Sequence, residues 1–377
     1  MDLYKKVIGD KGSTKKDTVN NPLTDYLLEE DEAFLGFLNT NVMPLNILFS
    51  GRVDGGIPLG KMSMISADSK NGKSIIAHSL IKSAQAKGMT TIVIDTEYAF
   101  DYKVAKAFGV DCSKEKLMVF QENEIERIRN IIAKIFDDLT IEERRNIFLV
   151  FDSWGGLLTN RTIDNALEGK VVKDMSESQL KNGLAGILNA TKATCFVVNH
   201  VYANIGGFGD PLSIPGGKRL YFLSSSVVLV MSRAKEKDTE KEITGYILSA
   251  KTHKSRWSTD TTELQFRIKQ NGGLDIFYGL LDVALEGGFI VTGDKKGTYV
   301  RNCVENDEGT KEINLYNSAF WLPIFKKSDF KKYIEKRFTY SNPVDVKTED
   351  VSGFFDADKA VVEEPVEKKT RKSKKEE

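Results

Sequence analysis

Cysteine and histidine are scarce in this chain, net charge is missing, and long apolar runs do not occur. Among 377 residues there are three cysteines and three histidines. Cys112, Cys195 and Cys303 are odd in number and far apart, which argues against a disulfide framework and for a reducing compartment. They lack metal-ligand spacing, and so few histidines argue against a zinc site as well. Lys+Arg and Asp+Glu each count 54, for a formal net charge of zero. No global basic field draws the chain to nucleic acid, so any such site has to come from local clustering. The opening stretch MDLYKKVIGDKGSTKKD holds no apolar run of signal-peptide length. No uncharged stretch is long enough to span a bilayer, and no internal repeat is present.

What is there is ordinary for a soluble protein: 41% apolar and 29% charged residues. The length suffices for a sizeable core, in one large domain with attachments or in two domains. From Met62 onward the pattern alternates. KMSMISA reads as a strand, SIIAHSLIKSAQAKG as a helix ending at Gly88, and TTIVID as a buried strand. EIERIRNIIAKIFDDL puts Ile125, Ile128, Ile132, Ile135 and Leu139 on one helical face. NIFLVFD, ATCFVVNH and SSVVLVMS are further apolar strands. Apolar strands separated by helices predict a parallel sheet covered on both faces, with ligands at the carboxyl ends of its strands. NILFSGRVDGGIPLGKMSMISA, just upstream, reads as strands broken by Gly55-Gly56 and Pro58. After residue 240, EITGYILSAKTHKSRW and TTELQFRI read as antiparallel strands.

Residues 67–74 spell ADSKNGKS. A phosphate-binding loop is written G-x-x-x-x-G-K-[ST], and here alanine stands first. Such a loop turns backbone N–H groups toward phosphate oxygens at the start of the next helix. Gly72 stands where a side chain would crowd that cradle. Lys73 brings charge to the outer phosphates, and Ser74 brings a hydroxyl to Mg²⁺. Ala67 occupies the least demanding position, which only opens the turn. Ala67, Asp68, Ser69, Lys70, Asn71, Gly72, Lys73 and Ser74 are therefore expected to bind nucleotide; a Lys/Ser-rich surface turn is the alternative.

A second carboxylate should hold the magnesium from a neighbouring strand end, and FLVFDS offers Asp152, with a helix N-cap as its other reading. VIDTEYAFD ends a third strand with Asp95 and Glu97. A carboxylate there can take a proton from an attacking water, or be a solvated turn residue. CFVVNH ends a fourth strand in Asn199-His200, placed to sense a γ-phosphate or to sit satisfied at the sheet edge.

The order of these parts, followed by PGGKRLYFLSSSVVLV and by GLLDVALEGGFIV at 279–291, resembles the RecA-type ATPases. Within them it resembles the phage UvsX-type strand-exchange recombinases, over roughly residues 42–325. The resemblance implies an α/β fold: a RecA-like P-loop ATPase core, mostly parallel sheet flanked by helices, with an N-terminal helical segment and a small C-terminal α/β domain. It implies that Glu97 and Lys73 are catalytic, that Asp101 lies at the adenine edge, and that His200 couples the γ-phosphate to DNA. Val104 stands where the family has an adenine-stacking aromatic, with Tyr102 as a candidate substitute. Thr159–Lys173 corresponds to the first DNA loop and Val201–Gly217 to the second. Gly206, Gly207, Gly216, Gly217 and Lys218 are the expected DNA contacts. Lys254 and Arg256 match the basic pair that reaches the ATP of the neighbouring subunit, although by pattern alone they are a solvated basic strand end.

The implied activity is DNA-dependent ATP hydrolysis coupled to homologous pairing and strand exchange, with ATP and Mg²⁺ as cofactors. Implied partners are single-stranded and double-stranded DNA, further copies in a helical filament, a single-strand-binding protein and a loading mediator; no membrane is involved. The location would be cytoplasmic, that of a phage protein in its host. The alternative is a hexameric replicative helicase on the same core. Expected boundaries are 1–41 for an arm and protomer-docking helices, 42–275 for the core, 276–340 for the small domain and 341–377 for a disordered charged tail.

Overall fold

The structure is a computed structural model that describes residues 34–170, 174–203, 212–260, 262–270 and 273–340. Most of the expected arm and docking helices (1–33), the charged tail, and Gly206 and Gly207 lie outside the described residues; the described end of that first segment, 34–41, is not helical, and Phe37–Leu38 is instead a short strand paired with Ile57–Pro58.

Strands come first as β1 (Phe37–Leu38), β2 (Ile57–Pro58), β3 (Met62–Ser66), β4 (Thr90–Asp95), β5 (Leu117–Gln121), β6 (Ile147–Asp152) and β7 (Thr194–Asn199). They continue as β8 (Tyr202–Ala203), β9 (Leu212–Ser213), β10 (Ser226–Lys237), β11 (Ile243–Ser255), β12 (Glu263–Lys269) and β13 (Gly273–Leu274). One nine-stranded sheet runs in the order β13-β12-β11-β10-β3-β7-β6-β4-β5. From β10 to β5 neighbouring strands are parallel; β11, β12 and β13 add on antiparallel. The predicted mostly parallel α/β sheet is what forms.

Side-chain alternation divides the core. On β6, Phe148 and Val150 pack into one buried cluster and Leu149 and Phe151 into the other, as the period-two geometry of a strand requires. The first cluster is covered by α1 (Met43–Ser50) and α2 (Lys73–Ala86). The second is covered by α4 (Ile125–Phe136), which follows the short α3 (Tyr102–Ala107), and by α7 (Glu177–Ala190). Between those last two lie α5 (Ile141–Arg145) and α6 (Asn160–Leu167). On α4 the expected face is buried at Ile125, Ile128 and Ile132 and partly covered at Ile135, while Leu139, also partly covered, lies beyond the end of the helix at Phe136.

Two expectations are corrected. The stretch before Gly51 is not a strand: Met43–Ser50 is a helix, every residue of it buried, with Pro44 in its first turn. A short run that is apolar on all sides carries no period by which to tell helix from strand. Likewise, the segment assigned to the first DNA loop is largely helical, because Thr159 caps α6 by accepting the Thr162 N–H; residues 171–173 lie outside the described residues.

Beyond the sheet come α9 (Leu280–Glu286), a three-stranded antiparallel sheet of β14 (Ile290–Thr292), β15 (Thr298–Arg301) and β16 (Thr310–Lys311), then α10 (Ser318–Lys327) and α11 (Phe330–Phe338). The helix α8 (Lys218–Leu223) precedes β10. Phe277, Trp321 and Phe330 belong to the same buried cluster as Phe49 and Ile76, so the C-terminal elements share the core of the large sheet. Buried charges join them as well: Arg52 pairs with Glu335 at 2.8 Å, and Lys331 with Asp54 at 2.7 Å. Removing one member of a buried pair leaves the other charge stranded, at about 3–5 kcal/mol. Arg52→Ala is therefore expected to lower unfolding stability by about that amount in urea titration, and an unchanged midpoint would contradict the buried pair.

Candidate functional site

The carboxyl ends of four parallel strands finish level. Ser66 on β3 pairs with Asn199 on β7, Asp152 on β6 with Val198 on β7, and Asp95 on β4 with Asp152. The chain leaves β3 into 67–72 and enters α2 at Lys73, so the start of that helix sits among these tips. Ala67 is fully buried, its methyl in the core and its N–H on the Asn199 carbonyl at 3.2 Å. The alanine thus fills core space rather than the loop interior. Gly72 takes φ +73°, and a Cβ there would come within 2.2 Å of Ile268 Cδ1. Its left-handed backbone favours glycine, and a Cβ would also press on the tip of the Ile268 side chain from β12, a contact the motif alone does not reveal.

Lys73 is buried, and its Nζ donates to the carbonyls of Ala67 and Asp68 at 3.1 and 2.9 Å. Burial lowers the pKa of this ammonium, against opposition from Asp152, Glu97 and Asp68. Ser74 Oγ donates to Asp152 Oδ2 at 2.8 Å. Burial pushes the Asp152 carboxyl up; the Ser74 hydroxyl opposes this, and Glu97 and Asp95 reinforce it. A hydroxyl and a carboxylate so close form a hard, oxygen-only donor set of the kind that suits Mg²⁺, and a cation there would relieve the crowding of carboxylates.

Glu97 follows β4 and faces the tip of β6. Its Oε1 accepts from Ser153 Oγ at 2.6 Å and lies 2.8 Å from His200 Nε2. Burial opposes its charge, but the His200 and Ser153 hydrogen bonds outweigh that and hold its carboxyl below the usual range. The two tips are stapled together: Thr96 Oγ1 donates to the Ser153 carbonyl at 2.6 Å and accepts the Ser153 N–H at 3.0 Å. Gly156 permits this approach, since a Cβ there would lie 2.4 Å from Thr96 Oγ1.

Asn199 Nδ2 donates to the Pro215 carbonyl at 2.7 Å, and Trp154 Nε1 donates to the Gly216 carbonyl at 2.9 Å. The tips of β6 and β7 thus hold the far end of the second loop. Gly216 and Gly217 have φ of +107° and +93°, and a Cβ on Gly216 would strike the Trp154 ring at 2.4 Å. Beside them opens a cleft of about 410 Å³, lined by Gly155, Met175, Lys181 and Tyr202 among others. Ser153, Trp154 and Thr96 were not singled out from sequence. Their positions directly after the carboxylate tips were the available signal.

Asp101 and Tyr102 lie at the start of α3. Asp101 Oδ1 accepts the N–H groups of Lys103 and Val104, so it caps that helix, and Tyr102 packs edge-on against Phe100. Lys254 and Arg256 are not beside the loop. Ser255, between them, pairs with Ser226, the first residue of β10, so both lie at the amino edge of the parallel strands, opposite the loop. Lys254 Nζ donates to the carbonyls of Tyr221 and Phe222 at the end of α8, both at 2.8 Å. Arg256 stands one residue past β11 and is exposed. Lys218 opens α8 directly after the glycine pair.

Among known proteins, the RecA N-terminal domain family matches residues 36–275. A family described as the C-terminal domain of the bacteriophage T4 recombination and repair protein matches residues 277–334. The recombination and repair protein of Enterobacteria phage T4 is 26% identical over 353 residues, 89% of this chain and 86% of that one. Protein RecA of Clostridium acetobutylicum is 27% identical over 327 residues, covering 82% and 90%. Protein RecA of Chlorobaculum tepidum is 28% identical over 239 residues, covering 63% and 67%. The RecA match takes in the loop, all four strand tips, the second loop and the basic pair, and on that ground the chain belongs to the RecA family.

Proposed function

We propose that this chain is an ATP-dependent DNA recombinase that assembles as a helical filament on single-stranded DNA and pairs it with homologous double-stranded DNA. The observation that carries this is the hydrogen-bonded bridge from site to loop. Glu97 meets His200, and the adjoining Asn199 and Trp154 hold Pro215 and Gly216. A group that binds beside Glu97 therefore acts on the backbone of the loop. Gly216, Gly217 and Lys218 are the DNA contacts in this reading, with Gly206 and Gly207. The relatives' names, recombination and repair protein and Protein RecA, agree with it.

In chemical terms, residues 67–74 cradle the triphosphate, and Lys73 supplies charge to its outer oxygens. Ser74 and Asp152 would hold Mg²⁺, which neutralises phosphate charge when bound. Glu97 accepts a proton from the attacking water, and His200 transmits the state of the site to the loop. Asp101 and Tyr102 flank the base, and Lys254 and Arg256 of one copy complete the site of the next. ATP bound between copies favours the DNA-holding state, and DNA-dependent hydrolysis releases it. The division into a core over 42–275 and a small domain over 276–340, the cytoplasmic location, a single-strand-binding partner and a loading mediator belong to the same reading. Among the described residues no helix is long and apolar enough to cross a membrane.

Electron microscopy with single-stranded DNA and a non-hydrolysable ATP analogue tests the proposal. Open helical filaments are the expected result, and closed rings would favour a helicase instead. Lys73→Ala should weaken ATP binding by more than tenfold, since a charge-assisted hydrogen bond contributes about 1.5–3 kcal/mol. Wild-type ATP affinity in this variant would remove the loop from the site.

A further inference from the structure

The amino edge of the parallel strands, opposite the phosphate loop, carries a row of cations. Backbone hydrogen bonds set their order. The Arg256 N–H donates to the Ser225 carbonyl at 3.2 Å, the Ser225 N–H to the Met62 carbonyl at 2.7 Å, and the Cys195 N–H to the Lys61 carbonyl at 3.0 Å. Arg256 thus stands just past β11, Lys61 just before β3 and Lys192 two residues before β7, on a sheet whose neighbouring strands lie about 4.8 Å apart. Burial lowers the pKa of the Lys61 ammonium, and Lys192, Arg256 and Arg145 lower it further, in that order. Among the described residues no carboxylate pairs with Lys61, Lys192 or Arg256.

Lys192 adds an independent observation. It is exposed, follows the last turn of α7 and takes φ +62°. Glycine or asparagine usually fills a left-handed place after a helix, because other side chains strain it. A lysine held there against its backbone preference points to a use for its charge.

The carboxyl edge of the same sheet has the opposite sign. Asp68, Glu97 and Asp101 are exposed there, beside Asp95 and Asp152. Lys70, Lys73 and Lys103 oppose them in smaller number, and a bound triphosphate would add further negative charge. The chain as a whole has no net charge, so the two edges are complementary poles of one molecule. The loop that would hold DNA is tied to the tips of β6 and β7, at the edge away from the row.

We propose that Lys61 and Lys192 extend the Arg256 edge into a docking surface for the carboxyl edge of a second copy, and that the opposite charges of the two edges steer copies into head-to-tail contact. This rests on the reading above in which Arg256 completes the site of the next copy. Charges at the rim of a contact act on the rate of association and its salt dependence more than on the strength of the finished contact. Lys61 and Lys192 therefore set how fast copies add, while Arg256 acts on the nucleotide.

The test follows assembly of wild type and Lys61→Glu/Lys192→Glu with a non-hydrolysable ATP analogue, by light scattering over a salt series. The reversed variant should assemble at least about tenfold more slowly at low salt, and the gap should narrow as salt screens the charges. Its single-chain ATP affinity by calorimetry should equal that of wild type. It keeps an acidic carboxyl edge, so it should still add to wild type and then accept no further copy. A minority of it should accordingly shorten wild-type assemblies. Lys61→Gln/Lys192→Asn, with an asparagine suited to the left-handed turn, should show the same trend at about threefold, and carries the test if the reversed protein does not fold. Assembly at the wild-type rate at every salt would overturn the proposal. So would a loss of single-stranded DNA affinity in variants that leave wild-type assemblies at full length, which would assign the row to nucleic acid. Arg256→Ala tests the underlying reading separately. Normal turnover there would remove Arg256 from the neighbour's site, whatever the assembly rates of the Lys61 and Lys192 variants.

Discussion

A Lys254→Ala/Arg256→Ala protein is expected to bind ATP as a single chain yet lose DNA-stimulated hydrolysis by about 10³–10⁵, the range for cations that reach a γ-phosphate from a second chain. Both residues sit at the amino edge of the parallel strands, while Lys73, Glu97 and Asp152 sit at the carboxyl edge. One copy keeps the two sets at opposite edges of the sheet, so in the proposed site one edge would come from each of two copies. Such a head-to-tail contact does not close on itself in a pair, and its repetition generates a ring where the rotation closes and an open helix where it does not. Lys254 also caps the last carbonyls of α8, so its loss carries a local structural effect. Arg256→Ala alone, exposed and outside that cap, isolates the contribution in trans. The decisive measurement is mixing. A variant lacking Glu97 and one lacking both cations should each be nearly inactive on DNA, while a co-assembled mixture should recover part of the turnover. A mixture that co-assembles and stays inactive would confine these cations to shaping the strand end.

Glu97→Gln should retain ATP and DNA binding but hydrolyse ATP about 10²–10⁴ times more slowly, as expected when a general base is removed. The geometry makes this variant informative. Glu97 Oε1 accepts from Ser153 and faces His200, and an amide oxygen can take up both contacts. The link to the loop should therefore survive while the proton acceptor is lost. Complexes formed with ATP on single-stranded DNA should outlast those of wild type, as followed by dissociation into competitor DNA. Wild-type turnover in single-cycle assays would reduce Glu97 to an exposed turn residue tied to its neighbours.

The sequence by itself determined the order of the parts. KMSMIS, TTIVID, NIFLVFD and TCFVVN are apolar runs bounded by polar tips, and such runs become buried parallel strands wherever they occur in a sheet. Their ends carry the polar Asp95, Asp152 and Asn199 because the apolar run stops there, although Asp95 and Asn199 are themselves buried and hydrogen-bonded. The glycine, lysine and serine of 72–74 were legible for the same local reason. Met43–Ser50 was not, since a segment buried on every side has no polar phase to read. Tertiary structure alone decided which tips touch. The Glu97–His200 contact joins residues 103 apart in the chain, and Trp154 reaches Gly216 across 62. It also decided that Ala67 points into the core, that the Ile268 side chain lies against Gly72, and that Lys254 caps α8. Periodicity encodes which face of an element is buried, but the partner across a sheet is fixed only when strand order and register close the distance between them.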